Sequence, residues 1–373
     1  MQIIFFFCLF LLVFPYFIFP LLMWLADRRI AVNWRQEDVC PPLTLIISVY
    51  NEEQVIEKKL QNSLALDYPE EQLEIMVVSD ASSDRTHEIV EGFSDARVSL
   101  RVIDGRVGKT ECLNRVLPEV KGEIVVFTDA NSMFPPEALK MISRNFAAPS
   151  IGSVTGWTRY LTADGDEETT GLYAKLEKIT KQGESVISSC VGADGAIFAI
   201  RKELYRPLKN YDINDFVIPL NVIGQRKRVI LDPDVYCYEE PSEGESKEYR
   251  RQVRITNRTL GAIWRGREYL NPNRYGFFSL LLISHKLLRF LVPFFFVATL
   301  LLSLALLNSG WLYSLLFIAQ AFFVIFGLAG LMRWLDGRLI NLCSFFLLTI
   351  TAQAVGWFRF LLGKRDTVWT PQR

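Results

Sequence analysis

IVVFTDAN, Ile124 to Asn131, runs from unbroken apolar residues straight into Asp-x-Asn. A short apolar run closed by turn residues reads as a strand buried on both faces. A strand of this kind that ends in Asp-x-Asp or Asp-x-Asn sets two oxygen ligands at one edge of a sheet. Mg2+ takes one or two carboxylates and completes its octahedron with substrate phosphates and water. Asp129 and Asn131 are therefore candidate ligands, Asp129 for charge and Asn131 for a neutral carbonyl oxygen. An Asx turn after a strand explains the same letters, and this segment alone leaves both readings open.

The segments upstream repeat the pattern. Leu43–Ser48, Ile75–Ser79 and Leu100–Ile103 read as further buried strands, with helical stretches at Glu52–Leu64, Asp84–Phe93 and Thr110–Leu117. Strands alternating with helices give a parallel sheet covered on both faces, an α/β fold. Ligands of such sheets bind beyond the carboxyl ends of the strands. Tyr50, Asn51 and Glu52 follow the first strand with no G-x-G-x-x-G, which disfavours a nicotinamide dinucleotide fold. Asp80 follows the second, where an acid can accept hydrogen bonds from a nucleotide, and Ser83 or Asp84 caps the next helix. DGRVGKTECLNRV, Asp104 to Val116, follows the third. Its GKT invites a phosphate-loop reading, but Gly105 stands too close to Gly108 for the Walker cradle. Lys109 suits a phosphate or a solvated surface equally well.

Half of the 373 residues are hydrophobic and 22% are charged, with a mean hydropathy of +0.19, which fits a charged portion joined to membrane segments. Lys+Arg and Asp+Glu are equal at 41 each, so net charge gives no reason to expect a nucleic-acid partner. The six cysteines have no C-x-x-C spacing and read as free thiols of a reducing compartment. Two histidines exclude a histidine-built zinc site.

Ile3–Ala26 is apolar for the roughly 20 residues that a bilayer core of about 30 Å requires. It lacks a basic n-region and an A-x-A site, so it reads as an anchor rather than a signal peptide. Arg28, Arg29 and Arg35 follow, placing the next domain in the cytosol by the positive-inside rule. Leu287–Leu307, Trp311–Met332 and Leu339–Leu362 are further apolar runs. Asn341, Gln353 and Gly356 interrupt the last, which leaves it open between spanning and interfacial. The expected organisation is an anchor at 1–27, a catalytic domain at 40–245, amphipathic interfacial helices at 246–284, transmembrane or interfacial helices at 285–362, and a cytosolic tail at 363–373.

In order along the chain, SVYNEE (Ser48–Glu53), VVSDASSDRT (Val77–Thr86), GKTECLN (Gly108–Asn114) and FTDAN (Phe127–Asn131) resemble family 2 glycosyltransferases. GADGAIFAIRKEL (Gly192–Leu204), INDF (Ile213–Phe216), RRQVRI (Arg250–Ile255) and TVWTPQR (Thr367–Arg373) continue the likeness. The branch is the membrane-embedded one of hyaluronan, cellulose and poly-N-acetylglucosamine synthases. The resemblance implies a GT-A fold, Rossmann-like with a mainly parallel sheet, in a cytosolic domain flanked by transmembrane helices of the cell membrane. It implies a nucleotide-sugar donor, commonly a UDP-sugar, and Mg2+ or Mn2+. By position, Tyr50, Glu52 and Asp80 would hold the nucleoside, Lys109 and Asn114 would lie by the nucleotide, and Asp129 and Asn131 would take the D-x-D place on the metal–diphosphate.

Asp215 would be the general base that inverting transfer needs to strip an acceptor hydroxyl; the alternative is an N-cap of a helix at Phe216–Ile223. Arg251 and Arg254 would meet the leaving diphosphate, while Arg265 reads as lipid-facing. Arg251 and Ile255 replace the family's Gln and Trp, so chain extension is left open. Asp194 and Gly195 lie on an expected acceptor-side strand, Gly192–Ile200, where Asp194 is either a sugar contact or a turn residue. Trp369 belongs to a gating-like tail. The expected activity is transfer to a polysaccharide or lipid-linked acceptor in contact with membrane lipid. Two alternatives are a polyprenyl-phosphate sugar transferase, which needs no strong base, and a catalytically silent nucleotide-sugar sensor, which Asn131 keeps in view.

Overall fold

The computed structural model describes residues 1–161, 172–240 and 245–364. Helix α1 (Gln2–Arg29) comes first. Strand β1 (Leu43–Val49), helix α2 (Ile56–Leu64), strand β2 (Leu73–Ser79) and helix α3 (Thr86–Glu91) follow. Strand β3 (Val98–Val102), helix α4 (Lys109–Val116) and strand β4 (Ile124–Asp129) keep the alternation expected of them. Next come helix α5 (Ala138–Ser143), strand β5 (Ile151–Tyr160), helix α6 (Leu172–Ile187), strand β6 (Phe198–Arg201), helix α7 (Asn214–Gly224) and strand β7 (Arg228–Glu239). Helix α8 (Glu245–Arg265) leads to α9 (Phe277–Ala305), α10 (Trp311–Leu331) and α11 (Arg338–Leu361).

The elements gather into two compact units. One is Pro20–Ser242 with Arg265–Leu281, and it contains the sheet. Its strands lie in the order β3-β2-β1-β4-β6-β5-β7, with β6 antiparallel to both neighbours and every other pairing parallel. The carboxyl ends of all strands but β6 therefore share one rim. The chain moves outward from β1 to β2 and β3, then returns to β4 on the other side of β1. That reversal opens the crevice in which open α/β sheets bind ligands.

Every residue of β1 is buried, as is β4 up to Thr128, so both faces of the sheet centre are covered. Leu45, Ile46 and Ile47 are fully buried; each such side chain contributes about 1.5–3 kcal/mol on leaving water. β3, at the sheet edge, is only half-buried. Thr155 pairs with Leu231 and Trp157 with Tyr236, so Asp232–Val235 bulge from the β5–β7 ladder around Pro233, a residue with no N–H to donate. Gly156 sits at this irregularity, where a Cβ would lie 2.4 Å from the Val235 carbonyl oxygen. The expected strand at Gly192–Ile200 is corrected to Phe198–Arg201. Gly192 has φ +81°, and the Asp194 carboxylate accepts the Ala196 N–H at 3.1 Å. Those residues form a turn.

The other unit is Met1–Phe19, Glu243–Trp264 and Leu282–Arg365. α1, α9, α10 and α11 are long and apolar enough to cross a membrane. The segment left open by sequence is one unbroken helix of 24 residues. At 1.5 Å per residue it covers about 36 Å, more than a hydrocarbon core needs. Of the residues that interrupt its apolar run, Asn341 is exposed near the start of the helix, Gln353 is buried, and Gly356 leaves room for Thr256 of α8. Small residues let helices approach in this way without a polar price. α9 starts well before the expected boundary at 285 and takes His285, Lys286 and Arg289 into its length, with His285 and Arg289 buried. Phe322 and Ile325 of α10 are exposed, as an apolar face meant for lipid would be.

Candidate active site

Two loops at the rim are stitched to one another. Asn51 and Ala81, the second residue beyond β1 and β2 respectively, have φ of 54° and 55°. Asn51 accepts the Ser83 N–H at 2.8 Å and donates its own N–H to Ser82 Oγ at 3.1 Å. Glu52, 2% exposed, donates its N–H to Thr86 Oγ1 at 2.9 Å. The Asp84 carboxylate accepts the N–H groups of Thr86 and Glu53, both at 3.1 Å. Burial would raise the Asp84 carboxyl, but these hydrogen bonds and the Thr86 hydroxyl prevail and hold it below its usual range. The expected cap at Ser83 or Asp84 is corrected: Arg85 is the N-cap of α3, with no side-chain cap hydrogen bond, and Asp84 binds the Thr86 N–H from one residue before it.

Asp80 is nearly buried and faces the loop that follows β3. Its carboxylate accepts the Val107 N–H at 2.9 Å and the Gly108 N–H at 3.1 Å, and pairs with Arg106 at 3.0 Å. The Arg106 guanidinium also lies 3.0 Å from the centroid of the Tyr50 ring. Arg106 therefore joins two predicted nucleoside residues, a role that sequence reading missed. Cys112 Sγ donates to Asp80 Oδ1 at 3.6 Å; burial first, then the neighbouring carboxylate, push its thiol up to about 12. The thiolate is the reactive form. Cys112 is expected to resist iodoacetamide at about pH 8 in the folded chain and to react after denaturation, as peptide mass mapping would read.

Lys109 opens α4 and its ammonium lies 2.5 Å from Asp129 Oδ1, at the carboxyl end of β4. Asn131, half-buried, stands two residues further on. Beneath this turn Lys59 of α2 is fully buried; it donates to the Ser132 carbonyl and, at 3.3 Å, to Thr128 Oγ1. Burial lowers its ammonium to about 7 against the opposing pull of Cys237, Asp129 and Glu239. In the sequence Lys59 looks like part of a solvated charge run, Glu57-Lys58-Lys59. Its spacing from Ile56 and Ser63, both buried on α2, is the signal that placed it on the apolar face.

Asn114 does not face this rim with a free amide. It accepts the Leu208 N–H and the Tyr205 hydroxyl, each at 2.8 Å, and donates to the Leu208 carbonyl at 2.8 Å. Its observed work is to hold the 205–208 loop. Thr110, next to Lys109, donates to Asn214 Oδ1 at 2.9 Å. That bond ties the start of α4 to the start of α7, where Asp215 lies in the first turn behind Ile213 as N-cap. Asp215 is thus not the cap. A Cβ on Gly195 would lie 3.1 Å from Asp215 Oδ2, and the Ala193 N–H donates to the Asp215 carbonyl at 2.6 Å. Asp194 spends one oxygen on Thr158, N–H and hydroxyl both at 3.0 Å, and the other on Ala196. It acts as the turn residue. Lys181 of α6 is buried nearby; burial would strip its proton, but Glu177, Asp194, Cys190 and Asp215 hold it above the usual lysine range.

Arg251 and Arg254 lie three apart on α8, in the apolar-helix unit, with Arg251 3.3 Å from Glu248. The lipid reading of Arg265 is corrected: its guanidinium pairs with Asp212 and lies 4.7 Å from the Tyr211 ring centroid. Trp369 lies outside the described residues. Among the described residues no three His, Cys, Asp or Glu side chains form a metal cage. One carboxylate, Asp129, and the amide oxygen of Asn131 two residues on are a donor set of the kind a hard divalent ion shares with a nucleotide.

Residues 44–207 match the profile of Glycosyl transferase family 2. The chain is 31% identical over 158 residues to a beta-monoglucosyldiacylglycerol synthase of Synechocystis sp., covering 38% of this chain and 32% of the relative. It is 25% identical over 191 residues to a poly-beta-1,6-N-acetyl-D-glucosamine synthase of Staphylococcus epidermidis, covering 50% of this chain and 45% of that one. The chain thus spans less than half the length of either relative. Among solved structures, mannosyltransferase PcManGT from Pyrobaculum calidifontis, in complex with GDP-Man and Mn2+, matches with a TM-score of 0.74 at 23% identity. That match covers 96% of this chain and 99% of the other, and it establishes a common fold. The profile match and the mostly parallel seven-stranded sheet of GT-A type together mark residues 44–207 as similar to glycosyl transferase family 2.

Proposed function

We propose that the chain is a membrane-bound, inverting glycosyltransferase with a cytosolic catalytic domain. It takes a sugar from a nucleotide sugar, of the UDP-sugar class first, and transfers it to a lipid-linked or polysaccharide acceptor. The observation that supports this reading is the run of contacts from Asp129 to Lys109 and from Thr110 to Asn214, the residue before Asp215. The relatives' names supply both acceptor classes, a diacylglycerol lipid and a polysaccharide.

In this reading Tyr50, Glu52 and Asp80 receive the nucleoside, and Lys109 neutralises diphosphate charge as a compact cation. Asp129 and Asn131 would hold Mg2+ or Mn2+, which supplies Lewis-acid stabilisation of the leaving diphosphate. Asp215 accepts the proton of an acceptor hydroxyl. The oxygen so freed bonds to the anomeric carbon from the face opposite the diphosphate, whose C–O bond breaks with its electron pair leaving on phosphate. Gly195 keeps the space beside Asp215 open. For Arg251, Arg254 and Trp369 the support is the family resemblance alone.

The test is to offer membranes containing the full chain a panel of radiolabelled UDP-sugars and GDP-mannose with Mn2+ or Mg2+. A chloroform-soluble product identifies a lipid acceptor, and a high-mass ladder identifies polymer synthesis. Absence of both transfer and donor hydrolysis with every donor would refute the proposal.

A further inference from the structure

We propose that Lys59 is a positioning residue for the metal–diphosphate turn, acting from beneath it through α2; this rests on the site reading above. The segment Thr128–Phe134 carries both proposed ligands, and α2 grips it along its length. Lys59 Nζ holds the Ser132 carbonyl and Thr128 Oγ1. One turn further along α2, Asn62 donates to the Phe134 carbonyl and accepts the Phe134 N–H, both at 2.8 Å. The Lys59 ammonium also lies 4.1 Å from the centroid of the Phe134 ring, a cation–π contact. Asp129 and Asn131 are bracketed by these grips.

A second feature gives α2 its leverage. The N–H groups of Val55 and Ile56 donate to the Glu52 carbonyl at 3.0 and 2.9 Å, so α2 grows directly out of the loop that carries Tyr50 and Glu52. One short helix therefore connects the nucleoside loop to the ligand turn. An ammonium serving only as filler would be replaced at no loss by an apolar chain of equal length, because a buried charge is costly to desolvate. An ammonium that fixes a main-chain carbonyl within a ligand turn has a consequence at the ligands. Groups that orient metal ligands typically change affinity or activity by 10–100-fold when removed.

The experiment compares wild type, Lys59→Met and Asp129→Ala as purified full chains, with Mn2+ titrated in saturating UDP and again in saturating GDP. Bound ion is read from loss of the free Mn2+ EPR signal, and nucleotide binding without the ion is measured in parallel. Lys59→Met is expected to raise the Mn2+ midpoint by about 10–100-fold while metal-free nucleotide binding stays near wild type, a split that general loosening of the fold would not give. A folded Lys59→Met protein with the wild-type Mn2+ midpoint overturns the inference. If Lys59→Met does not fold, Thr128→Val decides: loss of its hydroxyl should weaken Mn2+ binding by about 3–10-fold, and no change overturns the proposal. If Asp129→Ala itself leaves the Mn2+ response intact, the metal-site reading falls and takes the role of Lys59 with it.

Discussion

Asp215→Asn is expected to lower sugar transfer by about 10²–10⁴-fold, the usual contribution of a positioned general base, with donor binding preserved. The amide matches the carboxylate in size, so the fit against Gly195 survives, but it accepts no proton at neutral pH. The helix loses little, because Ile213 is the N-cap and Asp215 stands inside the first turn. What remains of an acidic side chain there is a favourable interaction with the helix dipole, worth about 0.3–1 kcal/mol. Stability should therefore change far less than rate. Single-turnover transfer of labelled sugar, beside equilibrium binding of the donor, separates the two. An Asn variant that keeps more than about a tenth of wild-type transfer would point to a lipid phosphate as nucleophile, since that acceptor has no proton to lose.

Asp129→Ala removes the only charged member of the proposed ligand pair. Lewis-acid stabilisation of a leaving phosphoryl oxygen is worth several kcal/mol, which corresponds to a loss of about 10²–10⁴-fold. The contact with Lys109 adds a second expectation. In the structure that ammonium is held at 2.5 Å by Asp129; in the variant it is released toward phosphate oxygens. Nucleotide binding in the absence of divalent ion should therefore be kept or improved while Mn2+-dependent transfer is lost. Calorimetry with and without Mn2+ checks this, and an Asp129→Ala enzyme that still responds to Mn2+ would exclude β4 as the metal site.

The first half of the sheet was legible because its central strands are buried on both faces and so appear as continuous apolar runs. Leu43–Ser48 and Ile124–Thr128 match β1 and β4 to within a residue. β5 and β7 gave no such run. β5 mixes Gly152 and Gly156 with Ser153, Thr155, Thr158 and Arg159, and β7 is broken by Asp-Pro-Asp at 232–234, which bulges from its ladder. Asp80 and Asp129 stood out at strand ends, and the structure places both on the rim. Arg106 did not, since a basic letter in a loop carries no mark of what lies beside it, and the helical spacing of Lys59 from Ile56 and Ser63 was masked by its place in a charged run. Asn114 was chosen for its place in the family motif, whereas the structure occupies its amide with the 205–208 loop.

The pair of left-handed residues, Asn51 and Ala81, bears on how a ligand would be received. Alanine in that conformation is disfavoured by roughly 1–2 kcal/mol. The cross-links from Asn51 to Ser82 and Ser83 flank it and hold the loop. An arriving nucleoside would meet a platform already frozen in shape, so its affinity would not be diminished by the entropy of organising two floppy segments.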